Sequence, residues 1–205
     1  MTRRNWLEIS AAASAAGLVL ARGAGATIPA VNDPAMQAAR ERIRARYFPD
    51  VVLTTHQGKK VRFYEDLIKG KIVVLSLMYA ECTGVCPIIT SNLVKVQKRL
   101  GDRVGRDIFF YSLTVQPEHD SPKVLKQYAK MHGVGPGWNF LTGKPDDVDL
   151  VRQKLGFADA DPELDKDKTR HSGNVRYGNE PRCLWAMFQG QAKPEFMVES
   201  ISWVS

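Results

Sequence analysis

Apolar positions along this chain follow two spacings. "KIVVLSLMYA" (71–80) is a continuous apolar run of strand length, rich in branched residues, and "RDIFFYSLTV" (106–115) is a second. Runs without polar alternation suit strands buried on both faces. Between them, "PIITSNLVKVQKRLG" (87–101) repeats Ile89, Leu93, Val96 and Leu100 at helical spacing and stops at Gly101. "DPAMQAARERIRARYF" (33–48) predicts a helix with Asp33 as its cap and Pro34 at its first position. "QPEHDSPKVLKQYAKMHG" (116–133) predicts another, capped by Asp120 or Ser121 and ended by Gly133. "WNFLTG" (138–143) reads as a short strand and "KPDDVDLVRQKLGF" (144–157) as a helix.

The remaining segments fill in the ends. "DVVLTTHQGKKVRFYEDL" (50–67) reads as a hairpin turning at Gln57-Gly58. "ADADPELDKDKTR" (158–170), with five acidic and three basic residues, reads as a solvent-exposed loop. "HSGNVRY" (171–177) and "RCLWAMF" (182–188) flank the turn "GNEP" as a second hairpin, and "KPEFMVESISWV" (193–204) closes as a helix. This order predicts an α/β fold with a mixed central sheet, helices flanking it and a hairpin at its N-terminal side. At 205 residues and 44% hydrophobic, with no internal repeat, the chain suits one domain. The formal charge of +7 is spread over helices and loops. No stretch joins it to stacking aromatics, so nucleic acid is not an expected partner.

The first thirty residues read as an address. Arg3 and Arg4 precede Trp6 and Leu7, a weakly apolar stretch runs from Ile9 to Leu20, and Ala24 and Ala26 offer an A-x-A cleavage site. The pattern resembles a twin-arginine export signal over 1–26, which implies a periplasmic protein. Twelve apolar-stretch residues are short for a bilayer core of roughly 30 Å, so membrane tethering is expected only if the signal is retained. Residues 27–47 then form a linker and the first helix, and 48–205 the globular domain.

Chemistry concentrates at "AECTGVCP" (80–87), where Cys82 and Cys86 lie at a strand-to-helix junction, a place where α/β proteins put their sites. The pair can be a redox dithiol, a metal site or a structural disulfide. A bridge over three intervening residues constrains the unfolded chain little, which disfavours the last. A helix N-terminus favours the thiolate forms that metal binding needs, while Glu81 opposes them. Cys183 alternates with Trp185 and Met187 and reads as a small buried hydrophobe. His56 in a turn, His119 before a helix and His132 at a helix end read as solvated or capping side chains. Zinc in a structural site wants four protein ligands, and only Cys183 could complete such a set.

The C-x-x-x-C-P of Cys82, Cys86 and Pro87, the "TVQPEHDSP" after the next strand, "FLTG" at 140–143 and His171-Ser172 opening a late hairpin resemble the Sco/SenC family. The likeness runs from about residue 48 to the C-terminus and implies a thioredoxin-like fold. It also implies copper binding by Cys82, Cys86 and His171, the last standing 85 residues beyond Cys86. Copper in the Cu(I) state is soft, favours thiolate sulfur and accepts imidazole as a third ligand; an added water or carboxylate suits Cu(II).

The family implies a metallochaperone that helps assemble the copper centre of cytochrome c oxidase or a related copper enzyme. Its partner would be a copper-protein client such as an oxidase subunit, and the chain itself is expected to be a monomer. The other reading is a thiol–disulfide reductase, with Cys82 attacking and Cys86 resolving. A peroxidase-like enzyme would need an activated single Cys and a polarising site, which the sequence does not offer. Gly84 and Gln116 stand where family members often carry Asp, an export signal replaces the usual anchor helix, and the hairpin after His171 is more polar.

The location reading has a direct test. Replacing Arg3 and Arg4 together by Lys is expected to leave the precursor in the cytoplasm, scored by fractionation; an unchanged periplasmic yield would exclude a twin-arginine route.

Overall fold

A computed structural model describes residues 32–168 and 173–205. The expected export signal with its cleavage position, and His171, lie outside those residues. In chain order the elements are α1 (Pro34–Tyr47), β1 (Val52–Thr55), β2 (Lys60–Arg62), β3 (Ile72–Met78), α2 (Val85–Leu100), β4 (Ile108–Thr114), α3 (Pro122–Met131), β5 (Trp138–Thr142), α4 (Pro145–Lys154), α5 (Pro162–Asp165), β6 (Asn174–Asn179), β7 (Leu184–Gln189) and α6 (Pro194–Val204). The strands form one seven-stranded sheet in the order β2-β1-β5-β4-β3-β6-β7. The middle of it, β3-β4-β5, is parallel, while β1, β6 and β7 join antiparallel.

The unbroken apolar runs become the central strands, as their composition demands. Alternate residues of β3 enter opposite cores: Val74 and Met78 face one cluster, while Val73, Leu75 and Leu77 face the other. Successive strand side chains point to opposite faces, so a strand covered on both sides must be apolar throughout. The first cluster is closed by Ile89, Leu93 and Val96 of α2, Leu125 of α3, and Met197 and Ile201 of α6. The second is closed by Val148 and Val151 of α4 and by Phe63, Leu67 and Ile68. Where β3 and β4 meet, Ser76 and Ser112 are paired across the strands, their hydroxyls 2.8 Å apart, and the Trp138 indole N–H donates to Ser112 at 2.9 Å.

Three local expectations are corrected. The first hairpin is shorter than 50–67, because "FYEDLI" winds into one turn of π-helix, Phe63–Ile68, that plugs the second core. The late turn falls at 180–183 rather than 178–181, since Asn179 still pairs with Leu184. Cys183 therefore sits in that turn at φ +55°, half-buried, instead of alternating on a strand.

The described part of the acidic stretch, 158–168, is no free loop. It contains α5, and Asp165 accepts two hydrogen bonds from the Arg152 guanidinium at 2.5 Å each. Arg152 is 3% exposed. The partner stands thirteen residues away across a turn, so helical periodicity gave no sign of it.

A second buried charge holds α1 to the domain. Glu180 is 3% exposed and accepts from Arg40 Nε at 2.9 Å and Nη2 at 2.7 Å, from the Tyr64 hydroxyl at 2.8 Å and from the Gly70 N–H at 2.7 Å. Burial alone would raise the Glu180 carboxyl, but these donors, Arg40 foremost, outweigh it and hold it below its ordinary value. A depressed carboxyl stabilises the fold above its unfolded pKa of ~4.3, and that contribution is lost as the pH falls through the lower folded value. Glu180→Gln keeps the shape but removes the charge that compensates Arg40, and is expected to cost about 3 kcal/mol at pH 7. Denaturant unfolding would show it, with the difference from wild type shrinking as the wild-type carboxyl is protonated in acid.

Candidate metal centre

Parallel pairing of β3, β4 and β5 brings their carboxyl ends to one edge of the sheet. The chain leaves β3 at Met78, turns through 79–84, where the Cys82 N–H donates to the Tyr79 carbonyl at 3.2 Å, and enters α2 at Val85. Gly84 is the N-cap and offers no side chain, so the first N–H groups of the helix stay available to an anion. Pro87, third in the helix, has no N–H to lose there.

Cys82 and Cys86 thus lie just before and just inside one helix start, both buried, at 8% and 1% exposure, within the first core cluster. Their sulfurs hydrogen-bond to each other. Burial pushes the Cys82 thiol up, but the Cys86 thiol, the backbone N–H groups of Cys86 and Gly84, and Tyr79 all favour its thiolate, and the net direction is down. Burial and the neighbouring Cys82 push Cys86 up to about 12. One dithiol therefore holds one activated and one protected sulfur.

The loop before the dithiol is clamped by a residue whose role the sequence reading missed. Asp120 is 1% exposed and accepts from the Ala80 N–H at 3.1 and 3.3 Å, while the Thr114 hydroxyl also donates to it. Ser121 takes the cap of α3, its hydroxyl accepting from the Val124 N–H at 3.4 Å. Asp120 is thereby freed to tie the end of β4 to the turn that carries Cys82. The available signal was a surplus: "DSP" offers two consecutive cap residues for one helix, which needs only one.

The sheet also decides between the other candidates. β6 runs antiparallel to β3, with Val175 opposite Ser76 and Asn179 opposite Ile72. The turn holding Cys183 therefore lies at the amino end of β3, roughly 20 Å of strand from the dithiol at ~3.3 Å per residue. Cys183 is excluded as a fourth ligand. Gly173, at the other end of β6, lies beside the dithiol helix. The Gly190 N–H donates to its carbonyl at 2.9 Å, and a Cβ on Gly173 would sit 3.4 Å from Ile89 Cδ1, one turn beyond Cys86. A Cβ on Gly190 would come within 2.8 Å of Ile89, so only glycine permits this approach.

His56 is structural, its Nδ1 accepting from the Phe140 N–H at 3.1 Å, and His132 lies tilted against Tyr128, ring centroids 4.2 Å apart. Among the described residues no three His, Cys, Asp or Glu side chains gather into a metal site. Two thiolate donors at an uncapped helix start fit a soft monovalent ion better than zinc.

The thiol asymmetry predicts a reactivity order. In the reduced protein at pH 7, iodoacetamide is expected to modify Cys82 at least tenfold faster than Cys86, measured by timed mass mapping. Equal rates for the two would contradict the assignment.

A protein-family model described as SCO1/SenC matches residues 39–205. A SCO1 protein homolog of Bacillus subtilis (strain 168) is 32% identical over 87 residues, 42% of this chain and 44% of that protein. The match thus spans less than half the length of that relative. The crystal structure of a SCO1/SenC family lipoprotein from Bacillus anthracis str. Ames superposes with a TM-score of 0.63 at 25% identity, covering 75% of this chain and 92% of that one. The structure of Bradyrhizobium japonicum ScoI with copper bound gives 0.61 at 22%, covering 75% and 96%, and shows the shared fold. Sequence match over most of the chain, the mixed sheet and the dithiol at the start of α2 agree: the chain belongs to the SCO1/SenC family.

Proposed function

We propose that this chain is a periplasmic copper-binding chaperone that supplies the copper centre of cytochrome c oxidase or of a related copper enzyme. The observation that carries the reading is the buried, hydrogen-bonded Cys82–Cys86 pair at an uncapped helix N-terminus. It provides two soft donors whose thiolates the helix dipole favours. His171, two residues before the Gly173 that abuts α2, is the third donor. Three ligands leave copper open to attack by a client's own ligand, which suits transfer better than storage. ScoI of Bradyrhizobium japonicum, of the same fold, is known with copper bound, which supports the choice of metal.

A thiol–disulfide role is favoured by one specific observation, the split between an activated Cys82 and a Cys86 held as thiol. In that reaction the Cys82 thiolate attacks a client disulfide and releases one client thiolate. Cys86 then loses its proton, attacks the Cys82 sulfur of the mixed disulfide and releases the second client thiolate. The client is reduced and Cys82–Cys86 is oxidised. The two activities are compatible, since a copper site built on cysteines must be reduced before it is filled.

His171 separates them, because disulfide exchange needs no imidazole. Anaerobic Cu(I) titration of the full chain is expected to lose tight binding in Cys82→Ser and Cys86→Ser. His171→Ala is expected to weaken it at least tenfold, about 1.4 kcal/mol, and to abolish the Cu(II)–thiolate absorption band, with disulfide reduction nearly unchanged. Wild-type affinity in His171→Ala would remove His171 from the site and put the reductase reading first.

A further inference from the structure

The sheet ends differently on its two sides. β2, at one edge, is three residues long and carries Lys60 and Arg62, and a short charged strand discourages further pairing. β7, at the other edge, is six residues long and has no charged residue. It pairs with β6, and among the described residues no strand lies beyond it. Its open side can be assigned residue by residue. The Gly190 N–H donates to the Gly173 carbonyl at 2.9 Å, and this pair continues the β6–β7 register. Mutually bonded pairs alternate along an antiparallel ladder, so Phe188, Ala186 and Leu184 also turn their backbone groups toward β6. Trp185, Met187 and Gln189 turn theirs outward, to the open edge.

The sheet face beside that edge holds a cation without an anion. Arg176 of β6 stands opposite Met187, and its Nη2 donates to the Met187 sulfur at 3.5 Å. The residue is half-buried, and its Nε is buried with no acceptor. The indole N–H of Trp185, on the same face, is likewise buried without one. No carboxylate among the described residues pairs with Arg176, and burial lowers its pKa with only Tyr47 opposing. The carboxylates around α1 are already committed, Glu180 to Arg40 and Glu41 to Arg44. A guanidinium keeps its charge at any physiological pH, so burying it unpaired is costly unless a partner offsets the loss of water.

We propose that the open edge of β7 is a docking site for an extended acidic segment of a partner protein, which adds as a further strand and sets a carboxylate on Arg176. Two independent observations point to this ligand. The edge supplies backbone donors and acceptors at Trp185, Met187 and Gln189, and Arg176 supplies the charge that selects which strand binds. Side chains alternate across a strand, so the residue of the added segment opposite Met187 projects to the face that Arg176 occupies. A second copy of this chain fits less well. Its β7 has no carboxylate to offer, and pairing the two edges would bring together two unpaired guanidiniums. The surface uses neither the dithiol nor copper.

The test titrates the reduced, copper-free full chain with two fluorescein-labelled peptides of alternating threonine and valine. They differ only at the central residue, glutamate in one and glutamine in the other. Fluorescence anisotropy is expected to show the glutamate peptide binding about tenfold tighter, the effect of one charge-assisted hydrogen-bonded pair. Arg176→Met keeps the apolar length and removes the charge. It is expected to fold at least as stably as wild type and to bind both peptides alike, at the affinity of the glutamine peptide. Gln189→Pro removes one outward N–H and leaves the ladder to β6 whole, and is expected to weaken both peptides about fivefold. N-methylation of alternate amides in the glutamate peptide should weaken it in the same direction. Thermal unfolding and anaerobic Cu(I) titration serve as folding controls, with copper affinity unchanged in both variants.

The comparison of the two peptides on wild type needs no variant to fold. Equal binding of the two, or no binding of either, overturns the proposal, as does a glutamate preference that survives in Arg176→Met. If Gln189→Pro and the N-methylated peptide both bind as the unmodified pair does, the attraction is one of charge without strand addition, and the proposal again fails. Sedimentation supplies the last outcome. Self-association of the wild type that Gln189→Pro abolishes and the glutamate peptide does not displace would assign the edge to a second copy instead.

Discussion

The constraint on which the rest depends is the double burial of β3. It is covered on both faces and bonded along both edges, parallel to β4 and antiparallel to β6. Such a strand cannot slip, because a shift of one residue would carry Val73, Leu75 and Leu77 into the wrong core. Its carboxyl end therefore delivers the dithiol to one place, and the antiparallel β6 starts from the same edge, with the turn of the late hairpin at the other. The same register sends Cys183 to the far edge. One pairing pattern thus brings Gly173, where the late hairpin begins, beside the helix that carries the dithiol and removes the third cysteine from contention.

Around that frame, buried charges act as fasteners for irregular chain. Asp120 ties the turn before Cys82 to the end of β4, Glu180 ties α1 to the β6–β7 turn, and Arg152 ties the acidic stretch to α4. In each case a loop with little apolar surface is held by groups that would be costly to leave unpaired. Apolar packing positions the sheet and helices, and fully partnered ions position what lies between them. The dithiol draws on both, since its sulfurs lie in an apolar cluster while the chain before them is held by a carboxylate.

That mixed environment accounts for the inequality of the two thiols. Burial disfavours both thiolates, but the N–H groups of the helix start and the Tyr79 hydroxyl converge on Cys82. Cys86, the more deeply buried of the two and beside a sulfur that ionises first, is left as the proton holder. A pair so divided can lose its first proton readily and keep the second until a metal ion or a disulfide takes its place.

The amino-acid sequence by itself determined the type of most elements, the place of the dithiol and the family. Runs such as 72–78 and the repeat of Ile89, Leu93, Val96 and Leu100 can be buried in only one way, and a C-x-x-x-C-P at their junction is legible without coordinates. What it could not reveal were pairings between distant residues. Asp120 looked like a cap until Ser121 filled that role, the acidic stretch holding Asp165 looked like an exposed loop until Arg152 came within 2.5 Å of it, and Cys183 looked like a strand residue until the register moved the turn. Periodicity reports which face of an element is buried. Which charged groups meet there is settled only when the tertiary fold brings remote segments together, because a buried ion takes whichever partner the packing leaves within reach.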